Sequence, residues 1–174
     1  MTTSLKAALS EDRDYARFLQ IRDTAFASIN VDAVLKEAEF LHSNRKSRSL
    51  TSAKLSPPKV QEAICVEMSA RSRLVELRAA VMKSNELLTT ALSAIRRHIR
   101  VSYSDELKEL AKTQNERTTV LDKLMGKSVK FKDQLDHVED VLDLYIKDID
   151  QNAFGLRNLV EILKLFLDRR STEI

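Results

Sequence analysis

The chain has 174 residues, which suits one domain, or one long-helix unit with a small appendage. Two Gly, two Pro, no Trp, 5% aromatic and 32% charged residues exclude a turn-rich sheet fold and a large aromatic core, and point to a few long helices. A net charge of +3 is weak evidence for a nucleic-acid partner, and the single cysteine, Cys65, excludes an internal disulfide and fits a reducing compartment.

Helical spacing predicts a first helix starting near Ser10 as N-cap, with Tyr15, Phe18, Leu19, Arg22, Phe26 and Ile29 following. A shorter helix is expected from about Val31 to Leu41, with Val34, Leu35, Ala38 and Leu41 on one face. These make residues 1–42 a small N-terminal helical segment. Residues 43–56, SNRKSRSLTSAKLS, lack periodicity, are rich in Ser and basic residues, and read as a mobile linker. Residues 57–174 then form the long-helix part.

Ser56 followed by Pro57 is a strong helix start: a capping hydroxyl, then a proline whose missing N–H costs nothing. The helix it opens uses Val60, Ile64, Leu74, Val81, Leu88, Leu92, Ile95 and Ile99 as its seam. Glu67, Arg71, Arg78 and Asn85 fall in the same register. A flanking row of small residues, including Ala63, Ala70, Ala91 and Ala94, would let another helix approach closely. The segment VSYSDEL reads as a cap or tight reversal, with Ser102 or Ser104 as N-cap and Asp105 and Glu106 in the next first turn.

Beyond it, steps of three and four residues from Leu107 to Phe166 meet eighteen positions, of which fourteen are apolar. Gln114, Arg117, Ser128 and Asn152 interrupt this stripe, either as tolerated defects or as residues that fix register and oligomer state. A bend is expected at Gly126, and a second weak point at Asp150 to Gly155. The stripe needs a partner helix from this chain or from another copy. The expected fold is therefore all-α: a long antiparallel helical hairpin or coiled-coil-like bundle with two short N-terminal helices, oligomeric. Leu135, Val138, Leu142, Tyr145, Ile149, Phe154, Leu156, Leu159 and Leu163 are the oligomerisation candidates.

Catalytic equipment is not visible. His42, His98 and His137 lie far apart, none in a zinc-type pair, and two glycines cannot build a phosphate-cradling loop. The chain is read as no enzyme, without metal or cofactor. No apolar run approaches the ~20 residues of a membrane span. The opening MTTSLKAALSED lacks the basic start and apolar core of a secretion signal, so a cytoplasmic location is expected.

Charge is segregated. Five basic residues and no acid lie between Ser43 and Val60: Arg45, Lys46, Arg48, Lys54 and Lys59. Seven acids and one Lys lie between Asp133 and Asp150, spaced like a solvated helix face. Arg96, Arg97, His98 and Arg100 end the long helix, and Tyr103 follows. These cations either offset the helix dipole or form a phosphate-binding patch, with Tyr103 placed to stack on a base.

The run VEDVLDLYIKDIDQNAFGLRNLVEILKLF, Val138 to Phe166, resembles the C-terminal helical region of UvsY-type recombination mediators of T4-like phages. Ile146, Lys147 and Ile149 lead to Asn152, Ala153 and Phe154, then Leu156, Arg157 and Asn158, where the family has an Arg-Gly-Phe-like element followed by an aliphatic, a basic residue and often Asn. His98, Ile99, Arg100, Val101, Ser102 and Tyr103 are similar in order and spacing to a second family element, as is the stretch Asp105 to Leu110. The resemblance spans roughly Pro57 to Phe166. Asn152-Ala153 stands where the family has Arg-Gly, family tryptophans are missing, and about fifty N-terminal residues are additional.

The resemblance implies an oligomeric, non-enzymatic protein of the host cytoplasm. Such a protein binds single-stranded DNA, helps displace a single-strand-binding protein and loads a RecA-like recombinase. Carried over by residue, Arg100 is the first DNA contact and His98 the second; Arg96, Arg97 and the basic linker are added from charge clustering. The alternative is a structural or adaptor coiled coil that joins proteins without nucleic acid.

Overall fold

The computed structural model describes residues 2–45 and 55–172, with side chains over 5–45 and 55–169. It is 92% helical, and no strand occurs among the described residues. The helices are α1 (Thr2–Ser10), α2 (Arg13–Ser28), α3 (Val31–Ser43), α4 (Pro57–Ser102), α5 (Ser104–Leu110), α6 (Gln114–Leu124) and α7 (Gly126–Thr172). Long helix α4 packs against α7.

Among the described residues, three helices precede α4 rather than two. Ser10 ends α1, its hydroxyl donating to Ala7 O, and Asp12 caps α2 by accepting from the Tyr15 amide at 2.8 Å. Leu5 and Leu9, one turn apart, bury α1's apolar edge, a spacing too short to stand out in the sequence. The expected break after α4 occurs, but Tyr103 stands at the N-cap of α5 and makes no side-chain cap.

The helix expected after it is three helices. Thr113 and Glu116 form a capping box that opens α6. Arg117 donates to the carbonyls of Ala111 and Lys112, both at 3.0 Å. Gln114 and Arg117 are thus corner residues, which is why they break the apolar stripe. A second break falls at Met125, next to Gly126. At the weak point expected over Asp150 to Gly155, α7 runs on without a break.

The chain forms two compact units that cut across the expected boundaries. The first combines Met1–Val31 with Ala80–His137. Its buried residues include Phe18, Val81, Leu88, Leu92, Ile95, Ile99, Leu107, Leu121 and Leu135, and the rings of Phe26 and Phe131 meet at 4.5 Å. The second combines Asp32–Ala79 with Val138–Ile174. There Val60 and Ala63 of α4 pack with Leu156 and Val160 of α7, flanked by Leu55, Ile64, Leu159 and Leu163.

The polar interruptions of the α4 seam have partners on other elements. In the second unit Arg71 donates from Nε to Asp150, and Arg78 donates to Asp143 at 3.3 Å and pairs with Glu139. In the first, Asn85 donates to Asp136 at 2.8 Å. Seven residues forward on α4 match seven back on α7 from Arg71–Asp150 to Arg78–Asp143, which fixes an antiparallel register. The acidic run is therefore not a purely solvated face: several of its carboxylates are held by cations of the same chain.

Leu142 is fully buried, whereas Leu144 two residues on is 64% exposed. Leu142→Ala is expected to cost about 2–5 kcal/mol in urea unfolding. Leu144→Ala should stay within about 0.5 kcal/mol of the parent.

Candidate nucleic-acid interface

Ile95 and Ile99 point the last turns of α4 into the core of the first unit. At about 100° per residue this sends Arg96 and Arg100 to one flank and His98 to the other, so the basic cluster is divided.

On the His98 flank the groups are engaged. Asp12 Oδ2 lies 2.8 Å from His98 Nε2 and accepts from the Tyr103 hydroxyl at 2.8 Å. Asp14 Oδ2 lies 3.4 Å from His98 Nδ1. Burial works against the charged form of Asp12, yet the bonds from His98, the Tyr15 amide and Tyr103 outweigh it and lower its pKa to about 2. The same bond to Asp12 raises the Tyr103 pKa. Tyr103 also presents its ring edge to His98, with centroids 6.1 Å apart. Both residues, expected to touch DNA, clamp the start of α2 to the end of α4. Asp12, Asp14 and His98 bring ligand atoms within 4.8 Å of one another, a spacing that a metal ion could use. Three donors already occupy Asp12, and that accounts for the cluster.

The arginine flank is open. Ser93, Arg96, Arg97 and Arg100 of α4 face Thr118 and Asp122 of α6 across a cleft of about 580 Å³. Arg96 Nη2 donates to Asp122 Oδ1 at 2.7 Å, while Arg96 Nε is buried without a hydrogen-bond partner among the described residues. Arg100 donates to Thr118 Oγ1 at 3.1 Å, and that hydroxyl donates in turn to Gln114 O. Arg97 is exposed and has no carboxylate partner among the described residues. Three guanidiniums and one carboxylate thus share a solvent-filled cleft, an arrangement that attracts a multiply charged oxyanion.

Further cations line neighbouring clefts of this unit: Arg100 and Arg117 in one, Arg22, Lys123, Lys127 and Lys130 in another. The sequence reading passed over these last four. Their signal was present, since Lys123, Lys127 and Lys130 follow helical spacing. The first unit carries fifteen Lys and Arg against twelve Asp and Glu, the second fourteen of each, so the net charge of +3 belongs to the first.

The linker candidates divide as well. Arg45 is a correction: it is 6% exposed, lies 3.4 Å from the fully buried Glu67, and donates to Asp148 and to the His42 carbonyl. It packs into the second unit and is not a mobile cation. Asp148 has its pKa lowered mainly by the His42 bond, and also by Arg45, against burial. Lys59 is exposed in the first turn of α4. Lys46, Arg48 and Lys54 lie outside the described residues.

The oligomerisation candidates sit largely inside the single chain. Leu135, Val138, Leu142 and Ile149 are fully buried, Leu156 is buried, and Tyr145 stacks on His42 at 4.0 Å. Of the two partners the stripe allowed, the chain's own helices cover this stretch. Leu159 and Leu163 are part-buried, and Phe154 faces solvent.

Comparison with protein-family models, with curated proteins and with solved structures gives no match.

The depressed Asp12 pKa sets a pH test. Its folded value, about 2, lies below the ordinary 3.8, so its stabilisation is fully present above about pH 4 and is lost as pH falls through 2. Asp12→Asn should lower stability at pH 7, and its stability should fall less than the parent's between pH 5 and 2, as read by urea unfolding.

Proposed function

We propose that this protein is an oligomeric single-stranded-DNA-binding accessory protein of recombination, with the α4–α6 arginine cleft as its contact to the phosphate backbone. The observation that carries the reading is the pairing pattern in that cleft: among the described residues one of three arginines meets a carboxylate, and Arg97 and Arg100 do not, in the unit that holds the net positive charge. Contacts of this kind neutralise phosphates, release counterions and read no base sequence. One cleft is a small footprint, and copies engaging one strand gain avidity. Loading of a RecA-like recombinase and displacement of a single-strand-binding protein rest on the family resemblance of Pro57 to Phe166.

Fluorescence anisotropy with a labelled oligo(dT) tests the reading. The parent should bind at low salt and weaken steeply as salt rises. Replacing Arg97 and Arg100 together by Ala should weaken binding and reduce the salt slope by roughly two. No binding at low salt ends the proposal.

A second reading, an adaptor that joins proteins, is favoured by the end of α7. Phe154, Ile162, Leu165, Phe166 and Leu167 are each about half exposed or more. An apolar cluster of this kind on a helix suits a protein partner. Under it the arginine substitutions leave assembly and function unchanged.

A further inference from the structure

We propose that Asp122 is a built-in occupant of the phosphate position in the α4–α6 cleft, and that a nucleic-acid phosphate binds by displacing it. This rests on the reading of the cleft as a phosphate site and adds how that site is regulated.

Among the described residues, Asp122 is the one carboxylate that lines the cleft. It lies where an incoming oxyanion would sit, 2.7 Å from Arg96 Nη2. The pair is incomplete. Among the described residues Arg96 Nε is buried with no hydrogen-bond partner, so the guanidinium uses one nitrogen on Asp122 and not the two of a bidentate fork. Asp122 also leaves Arg97 and Arg100 unneutralised. A phosphodiester oxygen pair that replaced it would engage Arg96 while the adjoining backbone reached the other two arginines.

The cost of the exchange is low. The Asp122 side chain is 42% exposed and that of Arg96 30%, so the carboxylate swings into water without desolvation. An ion pair this exposed is worth at most about 1 kcal/mol. Thr118 stays in place throughout, because its hydroxyl is tied to Gln114 O and holds Arg100 toward the cleft. The carboxylate then acts as a threshold. A small anion that meets Arg96 alone gains too little to displace it, whereas a strand that meets three arginines gains enough. The cleft thereby favours a polyanion over free phosphate.

The test uses the full chain, a labelled oligo(dT) and inorganic phosphate as competitor. Asp122→Asn should bind the oligonucleotide about threefold to fivefold more tightly at low salt, the release of one exposed ion pair. Free phosphate should also compete at lower concentration than with the parent. In an Arg96→Ala background the Asp122→Asn gain should vanish, which a loss of nearby negative charge acting at long range would not produce. Thermal unfolding of each variant checks that the fold is kept, and Asp122→Glu, which restores the carboxylate, should behave as the parent. Parental affinity in Asp122→Asn, with Arg97→Ala still weakened, overturns the inference and leaves the DNA-binding reading intact. A gain that persists without Arg96 also overturns it. Absence of binding by parent and variant alike removes the reading and the inference together.

Discussion

The antiparallel register of α4 against α7 is the constraint on which the other features depend. Burial of leucine, isoleucine and valine supplies the stability: Leu74, Leu142 and Ile149 in the second unit, Leu88, Leu92 and Leu135 in the first, all at or near zero exposure. Apolar seams tolerate slippage by a heptad, because one turn of leucines resembles the next. The charged rungs remove that freedom. A slip of seven residues would set Arg71 against Asp143 and leave Asp150 without its arginine. Arg71 and Arg78 are about one-third exposed, so each pair adds little stability. Their contribution is to exclude alternative alignments.

The cleft follows from the same constraint. Once Ile95 and Ile99 are fixed in the core, the directions of Arg96, Arg97 and Arg100 are set by helix geometry alone. The opposite wall depends on the corner between α5 and α6. There Thr113, Glu116 and Arg117 satisfy the exposed ends of two short helices and bring Thr118 and Asp122 to face α4. His98 and Tyr103, on the far flank, secure α2 through Asp12 and so brace the turn of α4 that carries the arginines. One short basic motif thus divides into a structural half and a solvent-facing half.

The helical character and the start of α4 at Pro57 were readable because they rest on local rules: scarce glycine and proline, a serine followed by proline at the helix start, and 3.6-residue periodicity. The three-way division after Ser102 was harder to read. A capping box and an arginine reaching back to two carbonyls leave only a polar interruption in a stripe. Arg45 shows the limit most clearly. In sequence it belongs to a basic, serine-rich stretch, and only the three-dimensional placement of Glu67 and Asp148, far along the chain, draws it inside. The seam itself was legible as a surface that must be covered. Its partner was not, because a heptad stripe specifies a neighbouring helix without stating which molecule supplies it. Within the cluster 96–103 the charges were visible, and the carboxylates that divide them, Asp12 and Asp122, come from other elements.

Pulsed electron–electron resonance addresses the central claim directly. Spin labels would replace Ser69 on α4 and Gln151 on α7, two exposed positions beside the Arg71–Asp150 rung, with Cys65 changed to Ser. The account predicts a single short distance, of the order of two helix diameters or ~20 Å, unchanged after tenfold dilution with unlabelled protein. A distance longer by about 3 Å, which is what the ~10 Å axial shift of a heptad slip adds to a ~20 Å lateral spacing, or a signal that fades on dilution because the two helices belong to different copies, would contradict it.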